Sequence, residues 1–192
     1  MKDIKKGVII SFLIWNKIKE IIKRDNFDID IKEIREVIEN NKKSLDNKSF
    51  DELIESVKQY ISDPNSLLIK MFKNLNWRND YVDPKNVGAV MPKLWDLPKE
   101  ALLGDLIETV EFVKNHQNYK TSIYIKKLTK ICSLLNEFPP IIIDSNYHDQ
   151  RSIYGGKKTN YYIEDGNHRA IAYILCGNAK LIAYIGTEPF IK

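Results

Sequence analysis

Six consecutive residues, Glu164-Asp165-Gly166-Asn167-His168-Arg169, concentrate more chemistry than any other part of this chain. Glu164 and Asp165 offer carboxylates that could take a proton from a hydroxyl. His168 and Arg169 offer an imidazole and a guanidinium that could hold an anion, the guanidinium with two donors at once. Asn167 adds a carboxamide and Gly166 a backbone without a Cβ, open to close approach.

The flanks predict how these groups are positioned. Tyr161 to Ile163 are aromatic and β-branched, as a buried strand requires. Asp165 reads as an N-cap whose carboxylate accepts from the N–H of Asn167 or His168. Ile171, Ile174 and Leu175 share a helical face, Gly177 suits the C′ position, and Lys180 to Ile185 reads as the following strand. The result is strand, turn, helix, strand.

A helix start carries roughly half a positive charge and favours anions. This one carries Arg169, and His168 when protonated, in its first turn. A bound phosphate or carboxylate would reverse that penalty. The competing reading is structural: Arg169 pairs with a neighbouring carboxylate such as Glu164.

Asp165-Gly166-Asn167-His168-Arg169-Ala170-Ile171-Ala172 resembles the D-G-x-H-R-x-x-A signature of the ParB/sulfiredoxin superfamily. The resemblance covers the last quarter of the chain, including the apolar run at Ile141–Asp144 and the strand after Gly177. It implies a strand-to-helix turn that holds nucleotide phosphates, with His168 and Arg169 as ligands and Gly166 and Asn167 contributing backbone. It also implies ATP or ADP as cofactor, with Mg²⁺ bridging the phosphates. Sulfiredoxins carry a nucleophilic cysteine where this chain has Asn167, and a carboxamide forms no thiolate. Partitioning proteins usually carry two arginines at the positions of His168-Arg169. The chain is nearer the D-G-H-H-R pattern of the free serine kinase-like branch, with Asn167 in the place of the first His.

Composition fits a globular protein of one domain with an extension, or two small ones: 192 residues, 43% hydrophobic. The net charge of +4 tolerates nucleotide or nucleic-acid partners without demanding them. Cys132 and Cys176 lie far apart, outside any C-x-x-C pair, which signals no zinc site. They read as two buried thiols in a reducing cytoplasm. The run Gly7–Trp15 follows three lysines, as a secretory signal would, but no small-residue cleavage site follows. It is too short to span a membrane and reads as a buried helix.

The first half is helical by periodicity. Ile10, Leu13, Ile14, Ile18 and Ile22 form one stripe, and Asp30 opens a second helix. Ser49-Phe50-Asp51-Glu52 is a capping box, and Pro64 starts a further helix. Residues 77–99, with prolines at 84, 92 and 98, read as a connector holding a short strand at Val87–Met91 and a packing anchor at Trp95. Leu102–Val113 and Ile125–Leu135 each read as one helix. A polar loop follows between Asp144 and Asn160, either a lid or a solvated loop.

The expected architecture is α+β: a helical segment over residues 1–76, then a small mixed-sheet domain over 77–192 like that of the ParB/sulfiredoxin superfamily. The expected function is nucleotide-dependent phosphotransfer to a small hydroxyl substrate. Glu164, Asp165 and His168 would be catalytic, with Asp144 and Asp96 as further candidates for base or metal ligand. The alternatives are a partitioning-like DNA binder or nuclease, and a nucleotide sensor without turnover.

Overall fold

The computed structural model describes residues 3–24, 29–61, 63, 66–88, 96–144 and 156–189. The protein is α+β, and its contacts divide it between Trp77 and Arg78.

The N-terminal unit is helical. It contains α1 (Ile4–Arg24), α2 (Ile31–Asp46), α3 (Phe50–Lys58) and α4 (Leu67–Asn74). The apolar run at the chain start lies inside α1, where Ile9, Trp15, Ile18 and Ile22 are buried against α2, α3 and α4. Phe12 of α1 meets Phe72 of α4 edge-on, ring centroids 5.7 Å apart. Side chains set the helix starts. Asp30 accepts from the Lys32 N–H, Ser49 and Glu52 close a capping box, and Ser66 accepts from the Ile69 N–H. Ser66 thus caps α4, whereas the proposed start at Pro64 lies outside the described residues. Among the described residues no helix is long and apolar enough to cross a membrane.

The second unit carries a five-stranded mixed sheet of order β1-β5-β3-β4-β2. Its strands are β1 (Asn76–Val82), β2 (Val87–Gly88), β3 (Ile141–Asp144), β4 (Tyr161–Asp165) and β5 (Leu181–Thr187). β4 is antiparallel to β3 and parallel to β2, while β3 and β5 are parallel. Ile142, Ile143, Tyr162, Ile163, Ala183 and Ile185 form the buried centre. β1 corrects the connector reading. Its residues are mostly polar and exposed, as an edge strand permits, so neither alternation nor apolar content marks it. The strand read at Val87–Met91 is β2, with residues 89–91 outside the described set, as is Trp95.

Two single-helix readings are also corrected. Gly104 and the Asp105–Glu108 capping box split the first stripe into α5 (Lys99–Leu102) and α6 (Leu106–Asn115). The second divides into α7 (Lys120–Thr129) and α8 (Cys132–Leu135). Both breaks preserve the apolar stripe, which is why periodicity alone runs through them. α9 (Asn167–Leu175) follows β4, ends at Gly177 with φ +93°, and packs against α6, α7, α8 and β5.

The two cysteines form a disulfide, Cys132–Cys176, which ties the first residue of α8 to the C-cap of α9. This overturns the reading of two separate thiols. The 44-residue separation hid a pair that α8–α9 packing brings to a Cα–Cα distance of 6.5 Å.

Candidate functional site

β4 passes into α9 through Gly166, which is the N-cap and holds φ +95°. Only glycine adopts this left-handed conformation without strain. A Cβ here would also lie 2.5 Å from Arg169 Nη2. Because the N-cap is glycine, it supplies no side-chain acceptor to the helix, and no acidic residue stands in the first turn.

Asp165 is therefore one position too early to cap α9, contrary to the sequence reading. Its carboxylate Oδ2 instead accepts from Arg169 Nη2 at 2.6 Å, one helical turn ahead. Arg169 is 2% exposed. Burial works against its charge, and the neighbouring Asp165 works to keep it. Arg169, expected to hold a ligand anion, forms a buried ion pair through Nη2 that folds over Gly166. The structural reading, Arg169 paired with a neighbouring carboxylate, holds, with Asp165 rather than Glu164 as the partner. Successive strand residues project to opposite faces, so Glu164 and Asp165 cannot share one partner easily.

Glu164 makes no hydrogen bond or ion pair with any described residue. Its carboxyl is pushed up to about 7, first by burial and second by the charge of Asp165. Asn167, the first residue of α9, has a buried Oδ1 with no hydrogen-bond partner among the described residues. Such buried orphans are rare and call for an explanation in each case. His168 is half-buried and meets the ring of Tyr124 from α7 edge-on, centroids 5.0 Å apart and planes at 85°.

The other carboxylates proposed for the site are placed elsewhere. Asp144 pairs with Tyr161 in the β3–β4 ladder, whereas Asp165 pairs with Ile141. Four strand residues separate those ends, on the order of 13 Å. Asp96 accepts the Thr121 N–H at 3.1 and 3.3 Å and so caps α7 from outside the helix. Burial opposes the charge of Asp96, but the hydrogen bonds from Thr121 and Lys120 outweigh it and hold the carboxyl below its ordinary range.

Part of the polar loop is fixed. Lys157 donates its N–H to the Leu103 carbonyl at 2.7 Å, and its ammonium reaches Asp105 at 2.7 Å and Glu108 at 3.0 Å. The charge of Lys157 is thus balanced by the capping box of α6. His148, Asp149, Arg151 and Gly155 lie outside the described residues.

Tyr124 had no signal in the sequence. It stands more than forty positions upstream and reaches His168 only because α7 packs along α9. Among the described residues no group of three or more His, Cys, Asp or Glu side chains could hold a metal ion. Mg²⁺ fits only as an ion carried largely by phosphates and water, with one or two carboxylates at most.

No family model, curated protein or solved structure matches this chain.

Proposed function

We propose that the β4–α9 turn binds a phosphate-bearing nucleotide, ATP or ADP, and that the protein transfers a phosphoryl group to a small hydroxyl substrate. One observation carries this reading. Glu164, a half-buried carboxyl poised near neutral pH with no hydrogen-bond or ion-pair partner among the described residues, stands two residues before the positive pole of α9. A base of that pKa adjoining an anion-favouring helix start suits proton abstraction from a hydroxyl beside a phosphate.

The residues then divide by role. The backbone from Gly166 to His168, with the His168 imidazole, faces the phosphates. Asn167 Oδ1 accepts from a donor on the ligand. Asp165 and Arg169 hold the turn in shape rather than touching the nucleotide. Glu164 takes the substrate proton. Mg²⁺, when bound with the nucleotide, neutralises phosphate charge.

The test is a thermal-shift and calorimetric screen of ATP and ADP with and without Mg²⁺, followed by phosphotransfer assays on small alcohols. Ligand at about 100 times its dissociation constant should add roughly 2.7 kcal/mol of stability. Glu164→Gln should keep nucleotide binding and lose about 10²–10⁴-fold in turnover. Absence of any nucleotide binding by the wild type would remove the reading.

A second reading, nucleic-acid binding, is favoured by α7. That helix carries Lys120, Lys126 and Lys127, with Lys130 at its C-cap and no acidic residue, and it packs along α9.

A further inference from the structure

Tyr124 is partly buried, and its hydroxyl makes no hydrogen bond with any described residue. Its ring is held edge-on against His168, so the hydroxyl is fixed in position rather than swinging on the surface. His168 belongs to the first turn of α9, so this ring contact sets Tyr124 beside the start of that helix, and the charges of Arg169 and Asp165 act on its phenol. Burial pushes the phenol up to about 12, with Arg169 opposing and Asp165 reinforcing, so at neutral pH it is a proton donor.

We propose that Tyr124 is a binding residue of the β4–α9 site, its hydroxyl donating to an anionic oxygen of the phosphate-bearing ligand while its ring holds the His168 imidazole. This rests on the phosphate reading of the turn and extends the site to a second element. α7 then supplies a wall, and a ligand seated on the start of α9 lies between that wall and Glu164. The two functions of the side chain are separable. The ring contact survives in phenylalanine, whereas the hydroxyl does not.

Calorimetry with inorganic pyrophosphate on the full chain tests this, comparing wild type, Tyr124→Phe and Tyr124→Ala, with the His168 imidazole followed by NMR. Tyr124→Phe should weaken pyrophosphate about tenfold, the scale of one hydrogen bond to a charged group, and leave the free-protein His168 resonance unmoved. Tyr124→Ala should weaken it at least as much and also move that resonance. If Tyr124→Ala does not fold, Tyr124→Phe alone decides. Wild-type pyrophosphate binding that Tyr124→Phe leaves unchanged would overturn the role of Tyr124 and spare the phosphate reading. Failure of the wild type to bind pyrophosphate would overturn both.

Discussion

Arg169 turns its buried guanidinium back over Gly166 to meet Asp165 at 2.6 Å, so the β4–α9 turn is closed by an ion pair inside the protein. A pair of this kind costs desolvation on both sides, and its removal is unsymmetrical. Asp165→Asn removes the carboxylate beside a buried cation and should cost about 3–5 kcal/mol. Arg169→Met leaves Asp165, which is 17% exposed and can recover water, and should cost less. The double variant should be more stable than the two single losses added together. Denaturant unfolding of the four proteins checks this, and additive losses would contradict a direct pair.

Gly166→Ala tests the turn itself. The added methyl meets a positive φ and also the guanidinium of Arg169. Strain of this kind costs of order 1–3 kcal/mol. The variant should lose stability and pyrophosphate affinity together, because the same atoms shape both. A melting temperature equal to that of the wild type would mean that the turn does not hold this conformation.

Glu164 should make stability depend on pH. Its folded pKa lies above its unfolded value, near 7 against 4.5, so the folded state holds the proton more tightly. The contribution is therefore present below about pH 4.5 and lost as pH rises through 7. Glu164→Gln should match the wild type near pH 4.5 and exceed it by about 1–3 kcal/mol at pH 8. Urea unfolding at the two pH values reads the difference directly. A wild type that gains on the variant as pH rises would reverse the sign and exclude burial as the cause.

The Cys132–Cys176 bridge should stabilise the second unit without touching the chemistry. Closing a loop of this length contributes about 2–4 kcal/mol by restricting the unfolded chain. Reductant should lower the melting temperature of the wild type and leave Cys132→Ala, Cys176→Ala unmoved. Nucleotide affinity should be equal in both proteins, since Asn167, not a cysteine, stands in the turn.

What could be read from the sequence follows how local each cause is. Asp30, Ser49 and Glu52 announce their helices because a cap acts within four residues, and the structure uses each of them. β3, β4 and β5 were legible from apolar and β-branched runs. β1 was not, since Asn76-Trp77-Arg78-Asn79-Asp80 takes its strand conformation from its place beside β5. The Asp105–Glu108 box had a legible signature, masked by an apolar stripe that runs through it. At the site, the sequence located the turn and its residues, but the choice of Gly166 over Asp165 as cap moved the carboxylate from the helix start to Arg169. Tyr124 and the cysteine pairing depend on how α7 and α8 pack on α9, which no short stretch encodes.

Salt dependence separates the two functional readings. A nucleotide on the start of α9 makes a few local contacts, so its affinity should change only modestly with ionic strength. A nucleic acid lying along α7 would neutralise several phosphates through Lys120, Lys126, Lys127 and Lys130. Counterion release would then lower its affinity by orders of magnitude between about 50 and 200 mM salt. The net charge of +4 is small, and Lys157 is already balanced by Asp105 and Glu108. The expected outcome is ADP binding that is weakly salt-dependent and lost in Gly166→Ala, with duplex DNA binding weak at moderate salt. Titrating both ligands across a salt series, in wild type and in Lys126→Ala, Lys127→Ala, decides the matter. Steeply salt-dependent duplex binding that Gly166→Ala leaves intact and the lysine variant abolishes, with no ADP binding, would transfer the function from the β4–α9 turn to the face of α7.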